Sequence, residues 1–209
     1  FRSPVENTIN ASLACAFSRY QRQQVTEYLA WQAAIVREYA QPHQFVTHNF
    51  DFEWRGYSYG VQPRVDHFAA AQALDIAGVD IYHPSQAHLT GREIAFGGAI
   101  SRSLKPGQNY FVLETQAQGF AQWTPFPGQL RLQAFSHIAS GAAMVSYWHW
   151  HSIHNAFETY WKGLLSHDFS RNPTWQEATT IGADFARLSP QLAELKAEND
   201  VALLISNEA

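Results

Sequence analysis

The alternation of apolar and polar positions divides the chain into regular units. From Leu13 to Ala40, Phe17, Val25, Leu29, Trp31, Ile35 and Val36 recur near helical spacing with polar residues between them, and Gln41-Pro42 stops the run. Gln44 to Asn49 is a short β-rich run, followed by a Gly-, Tyr- and Trp-rich loop from Asp51 to Pro63 and a helical stretch from Val65 to Ala77. Val79-Asp-Ile-Tyr82 reads as a buried strand, Gly91 to Leu104 as a helix, and Tyr110-Phe-Val-Leu-Glu114 as an apolar strand closing on a carboxylate. Gln129 to Ala139 is helical and Ala143 to Trp148 is a strand. The helix from Asn172 to Leu195 opens on a capping Asn172 with Pro173 in its first position. Val201 to Ser206 is expected to form a last apolar strand.

Strands too apolar to be half-exposed, alternating with helices, predict a parallel sheet built from βα units. Two architectures fit, an open doubly wound sheet or part of a (β/α)8 barrel. Polar and aromatic residues collect at the end of each strand: His48 and Asn49, Tyr82 and His83, Glu114 and Gln116, then Trp148, His149 and Trp150. That distribution favours a barrel, where all strands open onto one mouth. No GxGxxG follows a strand, which argues against a dinucleotide site.

Composition narrows the function. The chain has 209 residues and a formal charge of -4, so it carries no basic footprint for nucleic acid or an anionic membrane surface. No apolar run reaches the roughly 20 residues of a membrane span, and the first residues read as neither signal nor transit peptide. The single cysteine, Cys15, excludes a disulfide framework and a Cys-rich metal site. Aromatic residues make up 14% of the chain, several beside polar neighbours. They form either a large aromatic core or a surface for sugar rings, which pack on aromatic planes while their hydroxyls find hydrogen bonds.

Among the chemical candidates, Glu114 ends an apolar strand where a carboxylate is hard to solvate. It is either an ion-pair partner or a nucleophile or acid/base at an anomeric carbon. Glu158 either accepts sugar hydroxyls or pairs with Lys162 at helical spacing. Trp123 either stacks on a sugar or plugs the barrel top. His149, His151 and His154 offer three imidazoles to a metal, but no carboxylate or cysteine sits at a familiar ligand spacing beside them.

Taken together, Leu113-Glu-Thr-Gln-Ala117, Trp123-Thr-Pro-Phe-Pro-Gly-Gln-Leu-Arg-Leu132, Tyr147-Trp-His-Trp150 and Phe157-Glu-Thr-Tyr-Trp-Lys-Gly163 resemble the β-galactosidases of glycoside hydrolase family 42. The resemblance implies a (β/α)8 barrel followed by an α/β trimerisation domain, retention of anomeric configuration, a galactoside substrate and a cytoplasmic homotrimer. It implies Glu114 as catalytic nucleophile, Tyr82 and Trp123 as residues of the galactose site, and Glu158 as holder of galactose hydroxyls. Asn49 falls in a pocket-lining position.

Three departures accompany it. His83 separates Tyr82 from Pro84; Trp161 stands where much of the family has a sugar-contacting histidine, exchanging a hydrogen bond for stacking; and the acid/base glutamate has no counterpart, belonging upstream of Phe1. Asn207-Glu208 imitates the family's Asn-Glu pair but follows the last barrel strand and is not assigned to catalysis. A whole barrel takes roughly 250 residues. The chain is therefore expected to be the C-terminal half of the barrel over residues 1–197, with residues 198–209 opening the trimerisation domain through the Val201 strand. No cofactor and no metal are expected. The competing classes are a non-catalytic sugar-binding module and a metal-dependent hydrolase using the histidines.

Overall fold

The computed structural model describes residues 11–52, 65–82, 90–119 and 124–204. Four parallel strands form one sheet in sequential order: β1 (Asn49–Asp51), β2 (Gly78–Asp80), β3 (Tyr110–Gln116) and β4 (Ala142–Trp148). The helices are α1 (Ala11–Tyr39) before β1, α2 (His67–Ala71), α3 (Arg92–Leu104) and α4 (Gln129–Ala139) between successive strands, and α5 (Pro173–Leu192) after β4. Strand order that follows chain order, with a helical crossover at each step, is a repeated βα unit.

All but one of the expected elements are present, with shifts that have local causes. The run 44–48 makes no ladder. Val46 and Asp75 instead bond in both directions, Val46 N to Asp75 Oδ2 and Asp75 N to Val46 O, while Thr47 Oγ1 donates to the Ile76 carbonyl. Pairing starts only at Asn49. Asp66 caps α2 by accepting from Ala69 N at 3.0 Å, and past Ala71 the chain tightens into three-residue turns ending at Leu74. The strand expected over Val201–Ser206 does not form in its described part: residues 201–204 have no strand partner and lie exposed, Leu204 almost completely. A lone strand leaves its backbone groups unpaired and buries nothing.

The core lies between the sheet and helices α2 and α3, where Leu74, Val79, Ile94, Leu104, Tyr110 and Val112 are buried. Each such aliphatic side chain contributes about 1.5–3 kcal/mol relative to exposure. Gly78 lets β2 approach its neighbours closely. A Cβ there would fall 2.3 Å from Leu113 Cδ1 and 2.7 Å from the His48 carbonyl oxygen.

A smaller cluster of Leu130, Ala134 and Ile181 joins α4 to α5. Here the turn into α4 is held from outside, because Gly128 at φ 86° offers no capping side chain. Glu177 of α5 supplies the acceptors, Oε2 to Gly128 N at 3.0 Å and Oε1 to Arg131 N at 2.9 Å. A carboxylate at this end also opposes the helix dipole favourably. Arg131 returns the contact through Asp184, at 2.9 Å from its Nε. Glu177→Ala should therefore lower stability by about 1–2 kcal/mol, with Glu177→Gln intermediate. Urea unfolding of the variants reads this, and an unchanged midpoint for the alanine would contradict it.

Candidate active site

Parallel pairing brings every strand's carboxyl end to one edge of the sheet. The register aligns Asp51 with Asp80 and Asp80 with Glu114, so three acidic residues form a row across β1, β2 and β3. Two strand irregularities re-aim this edge, one between Val79 and Asp80 and one between Val112 and Thr115.

Glu114 sits part-buried in that row with both carboxylate oxygens engaged. Asn49 Nδ2 donates to Oε2 at 3.0 Å, and the Tyr82 hydroxyl donates to Oε1 through a short bond. Bonds to an anionic acceptor are the stronger, charge-assisted kind, and two from different strands hold the group in one orientation. The Tyr82 phenol is pushed far above its ordinary range by burial and then by Glu114, with Asp80 and Glu158 adding to the rise. Tyr82 is thus a committed donor. Asp80 is pushed up to about 8 by burial, then by the neighbouring Glu114 and Asp51 charges, partly opposed by a hydrogen bond from Asn49. Buried atoms lacking a hydrogen bond include Asp80 Oδ1, Asn49 Oδ1 and His149 Nε2.

The segment after β4 forms the other wall. Glu158 and Trp161 lie in one turn, closed by a 2.9 Å bond from Trp161 N to the Glu158 carbonyl, and both are half-buried. Lys162 directs its ammonium to Thr124 Oγ1 at 3.0 Å. The turn is pinned back onto the strand ends by Leu164 N to His149 O at 2.8 Å, Gln118 Nε2 to Gly163 O at 2.8 Å and Gly163 N to Ser152 Oγ at 3.1 Å.

The structure therefore brings Glu114 and Tyr82 into direct contact, with Glu158 near enough to act on the same phenol. Trp123, His83, Pro84, Asn207 and Glu208 lie outside the described residues. Asn49 touches the central carboxylate, a closer role than pocket lining. Asp80 was missed. Alternation puts positions 80 and 82 on one face of an extended segment, but only the register shows that Asp80 lies across from Glu114. The histidines are used for loop structure: His149 Nδ1 bonds the His151 carbonyl at 2.5 Å, His151 Nδ1 the Ser152 carbonyl at 2.8 Å, and His154 the His167 carbonyl. Among the described residues no three His, Cys, Asp or Glu side chains are grouped to hold a metal ion, and no helix is long and apolar enough to cross a membrane.

A beta-galactosidase from Thermus thermophilus is 31% identical over 221 residues, covering 96% of this chain and 32% of its own length. One from Clostridium cellulovorans is 25% identical over 208 residues, covering 96% of this chain and 30% of its own. In structure, a beta-galactosidase from the haloarchaeon Halorubrum lacusprofundi matches with a TM-score of 0.71 at 25% identity, over 88% of this chain and 29% of that one. One from Rahnella sp. R3 shares the fold at a TM-score of 0.77, over 92% and 29%. The chain thus spans about a third of the length of the relatives it matches. Fold and site define an α/β protein of the barrel class, with its polar side chains gathered at the carboxyl ends of parallel strands. The family model for glycoside hydrolase family 42, described as beta-galactosidase, matches residues 2–188, and the chain belongs to that family.

Gly163 is where this wall is most constrained. A Cβ there would lie 2.6 Å from the His149 carbonyl oxygen and 2.8 Å from that of His151, both backbone atoms that cannot swing aside. Gly163→Ala should release the Glu158–Trp161 turn and speed amide exchange at residues 161–165 by roughly tenfold or more. Unchanged exchange there would contradict the role given to this glycine.

Proposed function

We propose that this chain is the C-terminal half of the catalytic barrel of a retaining β-galactosidase, residues 1–197, followed by the opening of an α/β trimerisation domain at 198–209. The observation that carries the reading is the Glu114 carboxylate, fixed near the end of β3 by Asn49 of β1 and by Tyr82 just past β2. Family membership and relatives named beta-galactosidases support the substrate class. The half-barrel reading draws support from the sheet itself. Among the described residues β1 and β4 are each paired on one side only, and α1 leaves Trp31 57% and Tyr39 78% exposed. Open edges and bare aromatic faces are what the other half of a closed barrel would cover. The resemblance further supports a cytoplasmic homotrimer for the intact enzyme.

In this mechanism Glu114 attacks the anomeric carbon of a β-galactoside while an acid/base glutamate from the upstream half protonates the leaving oxygen. Water, deprotonated by the same glutamate, then opens the covalent galactosyl-enzyme. Attack needs the nucleophile and the acid about 5–5.5 Å apart on opposite sides of the sugar bond. A nucleophile that cannot rotate meets that demand without further ordering. Glu158 accepts galactose hydroxyls, Trp161 offers a stacking face, and the family resemblance adds Trp123 to the galactose site.

Replacing Glu114 by Gly in the full-length enzyme should lower turnover by roughly three orders of magnitude or more. Azide should then restore turnover of an activated galactoside and yield the α-galactosyl azide. Full activity in the variant, or loss without azide rescue in a folded protein, would overturn the assignment.

A further inference from the structure

Asn49 has one amide nitrogen and two carboxyl neighbours. Its Nδ2 donates to Glu114 Oε2 at 3.0 Å, and its side chain also reaches Asp80 closely enough to favour that carboxyl's charged form. Asp80 faces Asp51 on one side and Glu114 on the other in the strand register. An amide NH2 that faces two carboxyl groups can turn one hydrogen to each, which restrains its rotation. Asp80 Oδ1 and Asn49 Oδ1 are buried without a hydrogen bond, so the pair is closed off from solvent on that flank.

We infer that Asp80 is a positioning residue for the nucleophile: it anchors the Asn49 amide from β2, so that the amide fixes the Glu114 carboxylate from β1. This rests on the reading of Glu114 as nucleophile and names a residue through which that group is held. Two carboxylates in adjacent register repel, and one of them is expected to stay protonated. Asp80 is that one, its carboxyl pushed up to about 8. The other groups around it are Tyr82 just beyond its own strand, Asp51 on β1, His67 of α2 against the Asp51 carbonyl, His149 near Glu114 and Glu158 near Tyr82. As pH rises past that value Asp80 ionises, competes for Asn49 Nδ2 and sets a second negative charge beside Glu114.

The test uses the full-length enzyme and a 2-deoxy-2-fluoro-β-galactoside with a dinitrophenyl leaving group, which departs without a proton and so hides the acid/base from the pH profile. Labelling of Glu114 is followed by peptide mapping, and the maximal inactivation rate is separated from the inactivator's binding constant. The wild-type rate should fall above a pH of about 8. Asp80→Asn keeps the acceptor but cannot ionise, so it should label Glu114 within about threefold of the wild-type rate near neutrality and lose that fall. Asp80→Ala removes the acceptor and should slow maximal inactivation about tenfold or more, with binding changed less than about twofold. Glu114 labelling with a wild-type alkaline fall in Asp80→Asn, or a wild-type rate in Asp80→Ala, overturns the inference alone. Should the alanine variant not fold, the asparagine profile decides. Labelling at a residue other than Glu114 in the wild type overturns the nucleophile reading and this inference with it.

Discussion

A carboxylate at the end of an apolar strand is the constraint around which the rest of this chain is arranged. Taking such a charge out of water costs several kcal/mol unless hydrogen bonds replace its hydration. In an isolated strand nothing could supply them. In a parallel sheet the neighbouring strands end at the same level, and here they deliver Asn49 and Tyr82 to the two oxygens of Glu114. The site is therefore a property of the register: sliding β2 by one residue against β3 would turn Tyr82 and Asp80 to the opposite face.

What holds that register lies mostly below the site. Val79 and Val112 are fully buried between flanking helices, and the absence of a Cβ at Gly78 allows β2 to sit between Thr47 and Leu113. Thr115 Oγ1 donates to the Ile81 carbonyl at 2.8 Å, and Ile81 N donates to the Glu114 carbonyl at 3.1 Å, which extends the β2–β3 ladder past the formal end of β2. Tight packing at the strand bases thus fixes polar groups at their tips, while the Glu158–Trp161 turn is fixed separately by backbone bonds to the β4 exit.

Much of this was legible in the sequence. The helix over Gln129–Ala139 and the strand ending at Trp148 read directly from apolar spacing, as did the Asn172 cap, whose Oδ1 accepts from Trp175 N at 3.0 Å. Tyr82 entered through the family resemblance, and Glu114 stood out because a carboxylate closing an apolar run has few explanations. Asp80 did not, because one acidic residue inside Val79-Asp-Ile-Tyr82 carries no sign of which residue lies across from it; that emerges only with the register. Asn49 was underrated for the same reason. The short α2 and the late start of β1 reflect tertiary hydrogen bonds to Asp75 and Ile76, which local propensity does not encode. The expected strand from Val201 had apolar residues but no partner. Residue type alone left the histidines after β4 without a role, and the structure gives them one, since their imidazoles close hydrogen bonds to loop carbonyls.

The most direct measurement is the anomer released first when the full-length enzyme hydrolyses an activated β-galactoside, followed by proton NMR before mutarotation. A Glu114 held rigidly as nucleophile requires two inversions at the anomeric carbon, so β-galactose should accumulate first and the α signal should grow only at the rate of mutarotation. Initial formation of α-galactose would mean that water attacks directly, and Glu114 could not be the nucleophile.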